Sequence, residues 1–176
     1  MQRSDLQADC SSCFALCCVA LRFPRSESFA MDKPAGTPCP NLADDLRCTI
    51  HAELDERGFH GCVVYDCKGA GQKVSQVTFG GRDWRSNPKT ARWMLVVYPL
   101  VRQLHEILVP LVDELDDETD PVRRQLLQQA VDETEALTYL PPEELVLLDV
   151  PSHGAAMLAM LGETAAPPPG ATRRTR

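Results

Sequence analysis

Cys10-Ser11-Ser12-Cys13-Phe14-Ala15-Leu16-Cys17-Cys18 is the stretch on which the reading of this chain turns. On a helix or helical turn, steps of three and four residues return to one face, so Cys10, Cys13 and Cys17 are expected to share a face. A reduced vicinal pair such as Cys17-Cys18 has little structural purpose without a ligand role. The remaining cysteines follow at Cys39, Cys48, Cys62 and Cys67, and none occurs after that. Such a density, about 12% over these 67 residues, marks a disulfide scaffold or a metal site.

Compartment decides between the two. Asp5 and Asp9 stand where a secretory leader would be basic, and the apolar run Phe14–Leu21 is short and contains Cys17 and Cys18. Arg22 and Arg25 follow with no small-residue cleavage pattern. The expectation is a cytoplasmic protein with reduced thiols, which favours metal ligation. Arginine outnumbers lysine 14 to 4, and Ile and Asn occur only twice each, as in a GC-rich bacterial gene.

The eight thiols can fill two four-cysteine sites, one shared binuclear site, or an iron–sulfur cluster with spares. Zinc is the expected cofactor, because it binds thiolates tetrahedrally without cluster assembly; iron or an iron–sulfur cluster is the alternative. Cys48-x2-His51 adds His51 as a candidate ligand, and His60 lies in the same field. Cys48 with His51 is the sole local nucleophile–base pair, but catalysis there would explain one cysteine and leave seven. No catalytic residue is assigned.

Outward from the cysteines, the chain divides into a cysteine-rich metal-binding region at 1–80, a helical region at 81–162 packing on it, and a disordered tail at 163–176. Asn87-Pro88 and Asp120-Pro121 are cap-plus-proline signals. After the first, apolar residues recur with helical spacing from Val97 to Leu115, and Pro99 and Pro110 are expected to kink or divide that helix. A second helix to about Leu140 should turn Val122, Leu126, Ala130, Val131 and Leu137 inward, and Pro141-Pro142 starts a third. Short helices are expected near Ser11–Leu21 and Leu46–Leu54, and Cys62–Tyr65 and Val74–Phe79 are strand-like. The expected fold is mostly α, with an irregular metal-organised N-terminal half and a helical hairpin or three-helix C-terminal half.

The net charge of -7 argues against a general phosphate-binding surface, and no apolar run approaches the ~20 residues of a membrane span. Residues 68–92 are locally basic, with Lys68, Lys73, Arg82, Arg85, Lys89 and Arg92 against Asp83. Compensation of thiolate charge is their expected role, ahead of contact with nucleic acid. Asp113–Asp120 holds six acids in eight positions, read as a solvated helix end. Gly69-Ala70-Gly71-Gln72 reads as a turn beside a metal site, since it lacks a full phosphate-loop fingerprint. His105-Glu106 reads as packing or support for the site.

The order Cys-x2-Cys-x3-Cys-Cys, then Cys39-Pro-Asn-Leu-x5-Cys48-x-Ile-His51, then Cys62 resembles the bacterial CxxCxxCC family, described as zinc- or iron-chelating. Three residues precede the paired cysteines here, where that family has two. A closer resemblance is to the cysteine-rich N-terminal region of actinobacterial pentapeptide-repeat proteins. It is carried by Cys17-Cys18-Val-Ala-Leu21, Phe29-Ala-Met-Asp-Lys-Pro-Ala-Gly36, Gly58-Phe-His-Gly-Cys62-Val-Val-Tyr-Asp-Cys67-Lys-Gly-Ala-Gly-Gln72, Trp84-Arg85 and Leu104-His105-Glu106, over roughly residues 3–150. No pentapeptide repeats follow, so the resemblance implies the metal-binding head alone. A zinc-binding structural or protein-interaction module is the expected function. The alternatives are an iron–sulfur or iron-binding redox accessory protein and a metal-dependent enzyme with an open coordination position. The expected partner is a protein or a second copy met through the helical half, with no membrane and no nucleic acid.

Overall fold

A computed structural model describes residues 1–164 and places the apolar stripe of the long helix at its centre. Helix α1 is Leu16–Ala20, α2 is His60–Val64, and α3 is Ala70–Gln72, which runs directly into a π-helical stretch at Lys73–Thr78. Four further helices follow: α4 (Pro88–Asp117), α5 (Pro121–Leu137), α6 (Pro142–Leu145) and α7 (Val150–Thr164). The fold is mostly helical. Among the described residues the extended backbone makes only the isolated bridges Phe23–Lys33, Ser26–Phe29 and Leu42–Cys48. The expected tail at 163–176 lies outside the described residues, apart from the last two positions of α7.

Both cap signals operate as the sequence implies. The Asn87 side-chain oxygen accepts from the Thr90 amide at 2.8 Å, and Asp120 Oδ1 accepts from the amides of Val122 and Arg123. Each such cap is worth about 1 kcal/mol. Helix α4 then offers two apolar patches along one stripe. Met94, Val97, Tyr98, Val101 and Leu104 pack with Leu16, Ala20, Ala70, Val74, Phe79, Leu145 and Val150. Leu108, Leu111, Val112 and Leu115 pack with Leu6 and with Leu127, Ala130 and Val131 of α5. The first patch seats the cysteine-rich half; the second holds the helical hairpin.

By length and hydropathy alone α4 could cross a membrane. In this fold it is the core helix, with its apolar face taken up by its neighbours. On its outer side Arg102 pairs with Glu106 at 2.5 Å.

Several expectations are corrected. Pro99 and Pro110 do not divide α4, which continues through both. The buried stripe holds the helix together across the missing amide donors. Ala130 and Val131 face inward as expected, but Val122 and Leu126 face solvent, and Leu127 and Thr134 join the inner face of α5 in their place. Residues 62–64 and 74–78 are helical rather than extended. In the second stretch the Phe79 amide reaches the Val74 carbonyl at 3.1 Å, closing a wide turn that buries Val74 and Ser75. The 46–54 stretch is a turn at Leu46, with positive φ, and a single 3-10 turn at His51–Glu53. The acidic run 113–120 is tied by pairing: Arg123 bonds Glu114 and Glu118, and Arg3 bonds Asp113.

Truncating Leu104, which is fully buried, to Ala should cost about 2–5 kcal/mol in urea unfolding. Val122→Ala, at a residue 68% exposed, should change stability by less than about 0.5 kcal/mol in the same measurement.

Candidate metal centre

The segment carrying the N-terminal cysteines is not one helix. Cys10 and Cys13 lie in turns, Ala15 adopts a left-handed backbone (φ 56°), and α1 starts only at Leu16. The single-face argument for Cys10, Cys13 and Cys17 is therefore corrected. A non-glycine residue in that conformation costs roughly 1–2 kcal/mol. Its effect is to reverse the chain between Cys13 and α1, absorbing the third residue of the Cys13-x3-Cys17 spacing. The Phe14 amide donates to Ser75 Oγ at 3.0 Å, fastening this reversal onto the π-helical stretch.

One neighbourhood of thiols forms here. Cys13, Cys17 and Cys67 all pack against the core beside α4. The sulfurs of Cys13 and Cys67 both face Gly71, lying 2.6 and 3.6 Å from the point a Cβ there would occupy. Gly69, the residue before α3, has a φ of 78°, and a Cβ on it would strike the Asp5 carbonyl at 2.3 Å. The 69–72 glycines thus serve the turn that follows Cys67. Burial pushes the Cys13 thiol up to about 11, aided by Cys17 and Cys67 and opposed by the Leu16 amide and the Ser75 hydroxyl. Burial also raises Cys10, with Cys17 and Cys67 adding to it and Arg47 opposing.

The second neighbourhood lies at the C-terminal end of α1. The carbonyls at the end of α1 are met by the loop that follows: the Cys39 amide donates to Cys18 at 3.0 Å and the Gly36 amide to Val19 at 2.9 Å. The Leu42–Cys48 bridge carries Cys48 towards Cys39, and the Gly61 amide bonds Ser28, holding Cys62 beside the loop. Burial raises the Cys62 thiol to about 11, with Cys17, Cys39 and Cys48 adding to it. Cys39 is raised by burial and by Cys48, while the Asn41 amide and Lys33 oppose.

The two neighbourhoods meet at the vicinal pair, where the sulfurs of Cys17 and Cys18 are 4.0 Å apart. That contact, ahead of burial, raises Cys17 well above the ordinary thiol range. Mutually raised thiols are close enough for their charges to repel, a repulsion that a divalent cation removes by displacing the protons. All eight cysteines are free thiols. Among the described residues, no three Cys, His, Asp or Glu side chains stand already closed to ligand geometry.

The cations beside the thiols are not those expected from the 68–92 segment. Lys68 pairs with Asp66, Arg85 with Asp83, and Lys73 lies over the Tyr139 ring. Lys33 and Arg47 act on the cysteines instead. Lys33 is 2% exposed, and its ammonium donates to the carbonyls of Val19, Pro34 and Thr37 at 3.1, 3.1 and 2.8 Å. It lies within electrostatic reach of Cys39, Cys18 and Cys17. Arg47 bonds the carbonyls of Cys10 and Ser11. Nothing in their sequence contexts singled out either residue; an isolated Lys between Asp32 and Pro34 reads as surface.

The histidines divide differently. His60 bonds Asp55 at 2.8 Å and is exposed, and His153 bonds Thr134. His51 is exposed, with its amide on the Cys48 carbonyl. His105 is buried on α4, and its Nδ1 bonds the Lys68 carbonyl at 2.5 Å. It anchors the turn immediately after Cys67 and fills a packing position on the core helix.

No family model matches the chain, and no solved structure matches it. It is similar to the uncharacterized protein YybG of Bacillus subtilis (strain 168), with 47% identity over 161 residues, or 91% of this chain. The chain spans 57% of that relative's length.

Two substitutions check this geometry. Gly71→Ala should drive the Cys13 sulfur from its seat, costing about 1–3 kcal/mol and speeding alkylation of Cys13 in peptide mapping. Lys33→Met strips the donor from three carbonyls and should cost about 1–3 kcal/mol, seen as faster protease cleavage between residues 22 and 58.

Proposed function

We propose that the protein is a zinc-binding structural and protein-interaction module without catalytic activity, working in a reducing, cytoplasmic setting. The observation that supports this reading is the placement of eight free thiols, from Cys10 to Cys67, in two neighbourhoods that meet at Cys17 and Cys18. Eight thiolates close two tetrahedral zinc sites and leave no position for water or substrate. Metal binding would then supply folding energy to a half of the chain whose loops bury little apolar surface. The resemblance to the CxxCxxCC family and to the cysteine-rich heads of actinobacterial pentapeptide-repeat proteins is carried forward within this proposal.

A protein partner or second copy is proposed to meet the helical half. Tyr139, Leu147 and Leu158 are 60, 82 and 59% exposed there and are available for such a partner to cover.

The test is elemental analysis of anaerobically purified protein with a visible spectrum on the same sample. The expected result is about one or two zinc ions per chain and no colour. Iron with sulfide and absorption near ~400 nm would replace this reading with a redox one. Metal-free protein with paired thiols would overturn it.

A further inference from the structure

Deepening the zinc reading and resting on it, we infer that the thiols form two separate four-thiolate sites. One is Cys10, Cys13, Cys17 and Cys67; the other is Cys18, Cys39, Cys48 and Cys62. The first is seated on the helical body and the second lies within the loop lobe, and the two abut at Cys17 and Cys18.

Placement argues for this partition. Cys13, Cys17 and Cys67 all pack on the core that α4 shares with α1 and α3, and Cys13 and Cys67 face one point over Gly71. Cys10 lies within electrostatic reach of Cys17 and Cys67, the cysteines of this set. Cys18 is bound through its carbonyl to the Cys39 amide, and Cys39 and Cys48 are joined through Leu42, which bridges Cys48 and donates its amide to the Cys39 carbonyl. Cys62 completes the set, held by the Gly61–Ser28 bond. Cys17 and Cys18 are consecutive on α1 and leave it about 100° apart, so their sulfurs, 4.0 Å from each other, stand where the two sets meet.

The amide donors agree with the assignment. The Leu16 amide serves the Cys13 sulfur and the Cys18 amide the Cys17 sulfur in the first set, and the Asn41 amide serves the Cys39 sulfur in the second. N–H donors of this kind stabilise a thiolate over a thiol and are supporting contacts that a metal ligand uses. Each closed zinc site carries a net charge of -2. Lys33, buried against the second set, partly offsets that charge from inside the fold.

The two sites differ in what they hold. The first joins the N-terminal segment to α3 and α4, whose packing is already dense. The second ties together residues 18–62, where Phe23, Lys33 and Phe59 are the only buried side chains beyond α1. The second zinc therefore stands in for a core in the loop lobe. The first cross-links two parts of a core that exists without it.

The test is zinc content of the full chain, purified anaerobically, as wild type and as Cys67→Ala, Cys48→Ala, Cys48→Ala/Cys62→Ala and Cys62→Ala/Cys67→Ala. The wild type should hold about two zinc ions and each single variant about one. Cys48→Ala/Cys62→Ala should still hold about one, because both ligands belong to one site; Cys62→Ala/Cys67→Ala should hold almost none. Circular dichroism on the same samples reports the helical body, which Cys48→Ala/Cys62→Ala should retain. Loss of both ions from Cys48→Ala/Cys62→Ala with that body intact would overturn the partition, as would a wild type holding one ion. A wild type holding no metal would overturn the zinc reading itself. X-ray absorption on unaltered protein keeps the test independent of folding in the variants. Four sulfur neighbours per zinc without metal–metal scattering support two sites; metal–metal scattering from bridging thiolates, or a nitrogen ligand such as His51, overturns them.

Discussion

Everything in this molecule leans on the burial of one stripe of α4. Val97, Tyr98, Val101, Leu104, Leu108 and Leu111 are wholly shielded from solvent, and each such residue contributes about 1.5–3 kcal/mol by leaving water. That sum tolerates two internal prolines, a left-handed Ala15 and a π-helical stretch, none of which a marginal helix would carry. It also sets the order of dependence. α5 and α7 need α4 for a surface to bury against, and so do α1 and the turn after Cys67.

The loop lobe lives by a different rule. Residues 22–58 are largely exposed and short of apolar contacts, so their shape is set by point attachments. Lys33 is the clearest of these: a buried ammonium that meets three carbonyls, and with them the end of α1. Burial lowers its proton affinity, and neighbouring thiolates would raise it again. A lysine is suited to this place because the same charge that organises the loop also offsets negative sulfur. The stacked rings of Phe23 and Phe29, 4.5 Å between centroids, add the lobe's one aromatic contact among the described residues.

The cap-and-proline pairs were legible because their chemistry is local: an Asx side chain and a missing amide act within one turn. The cysteine field was legible for the same reason, since eight thiols in 67 residues is a compositional fact. What escaped reading depends on distance along the chain. Ala130 and Val131 face inward as their spacing implies, yet Val122 and Leu126, which obey the same helical spacing, face solvent because α4 meets α5 through Leu127 instead. The valines of 62–65 and 74–79 prefer strands, but no strand partner exists for them among the described residues; in the second stretch burial of Val74 against α4 favours the helical turn. The reversal at Ala15 could not be foreseen, because its strain is repaid by Ser75, some sixty residues on. Lys33 and Gly71 gain meaning only once the loops are folded around α1.

Trp84 gives the molecule an optical readout of its own. Its indole N–H bonds the Phe14 carbonyl at 2.9 Å, inside the reversal between Cys13 and Cys17. Arg85 lies against its ring and bonds the Asp44 carbonyl in the loop lobe. The chromophore thus touches both parts of the cysteine-rich half at once. Its emission, read against a Trp84→Phe variant that leaves Trp93 as the sole tryptophan, reports on those contacts without a dye or a label.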